Sequence, residues 1–213
     1  MNAVLDYVVQ EEPMSAPAAR IGRVPVLADL IRTHSRRSAL ARDVLLTLAG
    51  TAFITVAGYI AIPLWFTPVP ISLATFAVLL TGAALGPLRG GASAGLYLAL
   101  GIIGVPLFAN GSAGWAFASF GYILGYVAAA LLVGILARRR SDRNVWTTLG
   151  LAALGSLTIY AFGVPWLAAF VGVDLVAALT LGVVPFLIGD AVKIVAMAAL
   201  LPATWRVVDR TRR

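Results

Sequence analysis

The sequence predicts an all-α integral membrane protein with six transmembrane helices and both termini cytoplasmic. Three observations carry that prediction. Hydrophobic residues make up 61% of the chain and charged residues 12%, whereas soluble domains are about one quarter charged. The apolar residues fall in long runs rather than alternating with polar ones, which argues against a transmembrane barrel. The arginines sit at the ends of those runs, as membrane orientation requires, so the net charge of +7 does not point to nucleic acid.

The runs divide the chain into a basic tail over 1–43, a six-helix domain over 44–205 and a short basic C-terminus over 206–213. The tail holds Glu11, Glu12, Pro13 and Pro17, then Arg20, Arg23, Arg32, Arg36, Arg37 and Arg42. Such a stretch cannot bury a core; it is expected to be disordered and has no apolar run of signal-peptide type. Val24 to Ile31 offers, at most, a short amphipathic helix at lipid headgroups.

Val44 to Ile62 is the first expected span. Pro63, Pro68 and Pro70 then mark a stiff loop with interfacial aromatics. Ile71 to Gly86 is the second span, and Gly86 to Gly91 reads as a tight turn. Gly90 to Gly104 is the third span, followed by an uncharged loop from Val105 to Trp115. Ala116 to Ala137 is the fourth, closed by Arg138, Arg139, Arg140 and Arg143. Val145 to Trp166 is the fifth, with Leu167 to Ala178 at the interface. Thr180 to Leu201 is the sixth.

Charge decides the count. Ile71 to Gly104 read as one kinked helix would leave five spans and turn the Arg138 cluster outward. Six spans put every arginine on the cytoplasmic side and leave the outer loops without arginine or lysine, which is the positive-inside pattern. Outer loops rich in Pro, Gly and aromatics suit the lining of a small-molecule cavity. The glycines within the spans, among them Gly82, Gly121, Gly125 and Gly163, read first as close helix packing.

No catalytic set is present: no HExxH, no GxSxG and no P-loop. The protein is therefore expected not to be an enzyme and to need no cofactor, and ATP-driven movement of a substrate would need another subunit. The chain has no cysteine, and its one histidine, His34, lies in the polar tail as a solvated residue, so no metal site is expected.

What remains is Asp190 and Lys193. Lys193 is the only lysine in the sequence. Three positions apart, the two side chains share a helix face. An ionisable residue at membrane depth costs roughly 2.5–3.5 kcal/mol, so the two should pair and face protein or water. Three roles are open: an ion pair locking the bundle, a proton-coupling carboxylate, or a polar recognition pair. In the third, carboxylate accepts and ammonium donates, which suits a ligand carrying N–H donors and a carbonyl acceptor.

Several blocks, in order, carry a family resemblance. They are Phe66-Thr67-Pro68-Val69-Pro70-Ile71-Ser72-Leu73; Leu85-Gly86-Pro87-Leu88-Arg89-Gly90; Tyr97, Leu98, Gly101, Gly104, Pro106 and Phe108; Gly121-Tyr122 with Gly125-Tyr126; and Pro185 through Lys193. From Val44 to Leu201 the chain resembles the BioY family, the biotin-specific substrate-binding (S) components of energy-coupling-factor (ECF) transporters. The resemblance implies a six-helix S component in the cell membrane. It implies biotin held near the outer side by Asp190 and Lys193 of the last helix and by the third outer loop, with a transmembrane coupling subunit and two ATPases as partners. Biotin's cyclic urea, with two N–H groups and one C=O, suits the pair; Lys193 meeting the valerate carboxylate is the alternative. Asn110 and Ser112 are further candidate contacts, and Tyr122, Phe66, Trp115 and Phe117 are candidates to cover the ring and apolar chain. Ala74 and Ala118-Ser119-Phe120 depart from the family pattern. Ala57 and Ala61 have the small-residue spacing by which S components dock their coupling subunit but lie toward the outer end; Ala49, Gly50 and Ala52, nearer the cytoplasm, are small but not so spaced. A proton-coupled secondary transporter and a ligand-free membrane scaffold stand as rival readings.

Overall fold

Helix α1 covers Arg36–Tyr59 in the computed structural model, which describes residues 25–211. Expectations for the tail up to residue 24, and for Arg212 and Arg213, lie outside the described residues. The start of α1 is set by reciprocal capping: Ser35 Oγ accepts from the Ser38 N–H at 3.1 Å and Ser38 Oγ from the Ser35 N–H at 3.0 Å. The helix therefore begins inside the stretch assigned to the tail. The residues just before it are packed too. Leu27–Leu30 form a 3-10 turn, with Val26 fully buried and Ala28 nearly so. Asp29 in that turn binds Arg89 at 2.8 Å and faces Arg138 at 3.6 Å.

The proline-rich stretch after α1 is not an irregular loop. Strand β1 (Ala61–Leu64) pairs antiparallel with β2 (Thr67–Ser72), in the register Ala61↔Ser72, Ile62↔Ile71 and Leu64↔Thr67. The register shifts between Ile62 and Leu64, at Pro63, because a residue without an N–H cannot continue the ladder. Pro68 and Pro70 are two apart, so both missing donors fall on one edge of this ribbon, where they cost no pairing. The hairpin is tied to the chain's later helices by Thr67 Oγ1, which donates to the Leu181 carbonyl at 2.8 Å.

Helix α2 (Ala74–Leu85) and helix α3 (Pro87–Ile102) are joined by Gly86 alone. Gly86 has φ 82°, and a Cβ there would meet Val26 Cγ2 at 3.2 Å. Pro87 then opens α3 at a position where its missing N–H costs nothing. The expected tight turn is thus one residue long. Helix α4 (Phe120–Ala137) packs against both and against helix α5 (Val145–Val171). It approaches α2 so closely that a Cβ on Gly82 would stand 2.7 Å from the Ala130 carbonyl oxygen.

Helix α5 is longer than expected. Asn144 caps its start by accepting from the Trp146 N–H at 2.8 Å, and Gly172 ends it in the left-handed conformation at φ 77°. Pro165 lies inside it, and the segment placed at the interface is divided between the end of α5, a short connection and the start of the next helix. Asp174 then caps helix α6 (Leu175–Gly182), accepting from the Ala177 N–H at 2.7 Å. The sixth expected span is broken where it was read as continuous. A 3-10 turn over Val184–Phe186, with Pro185 lacking a donor, separates α6 from helix α7 (Leu187–Arg210).

Four helical stretches among the described residues are long and apolar enough to cross a membrane: Arg36–Tyr59, Phe120–Ala137, Val145–Val171 and Leu175–Arg210, the last joining α6 to α7. The arginine-rich end of the bundle is cross-linked. Arg89 Nε meets Asp43 at 3.0 Å. Asp142, fully buried in the α4–α5 connection, accepts from Trp205 Nε1 of α7 at 2.5 Å, and the Arg143 guanidinium lies 3.8 Å over the same indole. Burial holds the Asp142 carboxyl above its ordinary pKa, against the opposing pull of the Trp205 bond.

Candidate binding site

At the end of the bundle away from the arginines is a cavity of about 240 Å³. Its walls come from β2, the start of α2, Tyr97 of α3, the 108–112 loop, the starts of α4 and α7, and the middle of α5. The break between α6 and α7 places Asp190 in the first turn of α7. An acidic group there stands at the positive end of the helix dipole.

Lys193 Nζ lies 3.2 Å from Asp190 Oδ1 and donates to Thr75 Oγ1 of α2 at 2.9 Å. The Tyr160 hydroxyl of α5 donates to Asp190 Oδ2. The two side chains are mostly buried, yet both line the cavity. Three helices thus converge on one ion pair, and its charges cancel. Each partner keeps capacity for a ligand: two of the ammonium's three N–H groups are engaged, and the carboxylate has lone pairs beyond the two in use.

Around this polar corner the wall is aromatic. Tyr97 meets Phe108 edge-on with ring centroids 5.1 Å apart and stacks with Tyr126 at 6.3 Å. Phe108 is fully buried and touches Phe117 at 5.8 Å. Tyr122 packs edge-on to Tyr160 at 6.2 Å and donates to the Gly182 carbonyl at 2.9 Å, fixing the α6–α7 junction against α4. Room for its ring exists because Gly163 has no side chain: a Cβ there would sit 2.4 Å from Tyr122 Cδ1. Such a site offers apolar rings with a few convergent polar groups, the composition of small-molecule pockets.

Of the residues singled out from the sequence, Asp190, Lys193, Asn110, Ser112, Tyr122 and Phe117 all line this cavity. Asn110 holds a left-handed conformation at φ 58°, and Ser112 Oγ donates back to the Ala109 carbonyl at 2.9 Å, shaping the loop tip. Phe66 and Trp115 are not among the lining residues. Phe66 sits in the hairpin turn edge-on to Trp65, and both Phe66 and Trp115 are exposed. Thr75 and Tyr160, which hold the ion pair, were not singled out. Tyr126 shares a face with Tyr122 at i, i+4, a signal the sequence does carry.

An apolar helical bundle with an aromatic, hydrogen-bonding cavity around a paired charge defines a multi-pass membrane protein built to hold a small molecule. The BioY family model matches residues 30–210, and the chain belongs to the BioY family. It is 37% identical over 154 residues to a protein named biotin transporter BioY from Thermotoga maritima, covering 71% of this chain and 88% of that one. It is 35% identical over 171 residues to the biotin transporter BioY of Rhizobium etli, covering 75% of this chain and 90% of that one. The solved S-component for biotin from an ECF-type ABC transporter has the same fold, with a TM-score of 0.72 at 24% identity over 82% of this chain and 95% of that one.

Proposed function

We propose that this protein binds biotin and mediates its uptake as the substrate-binding subunit of an ECF transporter. The observation that carries the reading is the Asp190–Lys193 pair on a cavity wall. A pair that served only to lock the bundle would have no need of an adjoining cavity, which weighs against the ligand-free scaffold. One N–H and the C=O of a cyclic urea lie side by side, matching a carboxylate acceptor beside an ammonium donor. Lys193 is already neutralised by Asp190, which favours the urea over the valerate carboxylate as its ligand. The chain beyond the ring then runs along Tyr97, Phe108 and Phe117 toward Asn110 and Ser112 at the loop.

The membrane arrangement follows from charge. Arg36, Arg37, Arg89, the Arg138–Arg143 cluster, Arg206 and Arg210 gather at one end, and the connections at the cavity end carry no arginine or lysine. The positive-inside rule then sets both termini in the cytoplasm and opens the cavity outward. Six spans are α1 to α5 and α7. The short α2 and α3, roughly 18 and 24 Å long at 1.5 Å per residue, are completed by the hairpin and the adjoining loop. The family's coupling subunit and two ATPases supply the energy. Burial of Ala57 and the place of Ala61 in β1 weigh against that pair as their docking surface; exposed alanines on α1 are Ala41, Ala49 and Ala52.

Titration of the purified protein with biotin, thiamine and riboflavin tests the reading. Saturable binding of biotin alone supports it. Absence of biotin binding, or preference for either other vitamin, overturns it. Uptake by cells that survives a protonophore but requires the coupling module separates this mechanism from proton-coupled transport through Asp190.

A further inference from the structure

A cyclic urea does not present two hydrogen-bonding groups but three. Along its polar edge run N–H, C=O and N–H, that is donor, acceptor and donor. Asp190 and Lys193 answer the first two and leave the third unmet, and an N–H buried without an acceptor is costly.

The structure holds a third group hydrogen-bonded to them. Thr75 Oγ1 stands 2.9 Å from Lys193 Nζ, the same ammonium that Asp190 Oδ1 meets at 3.2 Å. It comes from the first turn of α2, whereas the ion pair comes from the first turns of α7. All three line the same cavity. The hydrogen-bonded row runs carboxylate, ammonium, hydroxyl: acceptor, donor, acceptor. The Thr75 oxygen accepts one bond from Lys193 and keeps a second lone pair, and the ammonium keeps a third N–H for the carbonyl between them. Tyr160 binds the far oxygen of Asp190 and stops the carboxylate from turning out of the row.

We infer that Thr75 is a specificity-determining residue that accepts the second urea N–H, completing a three-point complement to the cyclic urea. This rests on the proposed function. Other lining hydroxyls, on Ser72, Ser112, Ser119, Ser156 and the tyrosines, lack the contact with Lys193 that ties Thr75 to the pair. The row spans α2 and α7, so a ligand that fills it also bridges those two helices.

The test is a binding cycle on the full-length protein, using biotin and its two mono-N-methyl ureido derivatives. Thr75→Val removes the acceptor and keeps the shape. It should weaken biotin about tenfold, the cost of one unmet buried hydrogen bond. Thr75→Ser keeps the hydroxyl and should stay within about threefold of the native protein. For one of the two methyl isomers, the one that has lost the donor facing Thr75, Thr75→Val should bring no further loss. Two results overturn the inference: Thr75→Val binding biotin as the native protein does, or the same tenfold loss for biotin and both isomers. The second would mean that Thr75 acts only by positioning Lys193. A native protein that binds no biotin would instead overturn the proposed function, and this inference with it. Unchanged tryptophan fluorescence and elution volume establish that each variant is folded.

Discussion

Lys193 Nζ and Asp190 Oδ1 stand 3.2 Å apart on the wall of a cavity, not within a sealed helix contact. The pair is shielded from lipid by α2 and α5 through Thr75 and Tyr160, which resolves the cost of placing two charges at membrane depth. The same shielding leaves their remaining hydrogen-bonding capacity directed at the cavity.

Asp190→Asn and Lys193→Ala should each abolish high-affinity biotin binding. Truncating one partner of a buried, hydrogen-bonded charge pair at a binding site costs about 2–5 kcal/mol of binding, a loss of roughly thirtyfold or more in affinity. Isothermal titration checks this, with size-exclusion elution showing that the variants remain folded and inserted. Native affinity in both variants would remove the pair from the site.

Tyr160→Phe should weaken biotin less, by about tenfold, because it removes a bond to a charged group while keeping the ring. The ring must stay, since it packs on Tyr122 with centroids 6.2 Å apart. Equal affinity for the variant and the native protein would show that Asp190 needs no orienting donor.

Gly163→Val should lower both stability and binding. Any side chain there drives into Tyr122, whose ring forms the cavity wall. Overpacking of this kind costs about 1–3 kcal/mol, and thermal unfolding with and without biotin reads both effects. An unchanged melting temperature would mean that α4 and α5 separate freely.

Asp142 makes a prediction about pH at the opposite end. Its folded-state pKa is raised by burial, so the folded protein holds its proton more tightly than the unfolded chain. Its contribution to stability therefore falls as pH rises from the ordinary aspartate range through the raised value, and the penalty is complete above it. Asp142→Asn, whose amide oxygen can still accept from Trp205, should raise the melting temperature at neutral pH and flatten its dependence in that window. A lower melting temperature would show that the charge is needed by Arg143, which lies over the same indole.

The sequence discloses this protein unevenly, for physical reasons. Long apolar runs and terminal arginines report burial in lipid directly, so the main helices are legible. A single lysine three residues from an aspartate in an apolar run is legible because its cost demands a use. The hairpin is not: Pro68 and Pro70 look like breakers until the partner strand shows that one edge needs no donors. Nor is the break before α7, since Pro185 sits in a run apolar enough to pass as one span. Thr75 and Tyr160 are hidden because hydropathy does not say which faces of α2 and α5 meet α7. Phe66 and Trp115 drew notice as aromatics in outer loops, whereas packing decides which rings turn inward.

The most direct measurement is the structure of the protein with biotin bound. The account predicts the ureido ring in the corner formed by Asp190, Lys193 and Thr75, with each within about 3.2 Å of a urea nitrogen or oxygen. A complex in which the valerate carboxylate occupies Lys193, or in which biotin lies outside this cavity, would contradict it.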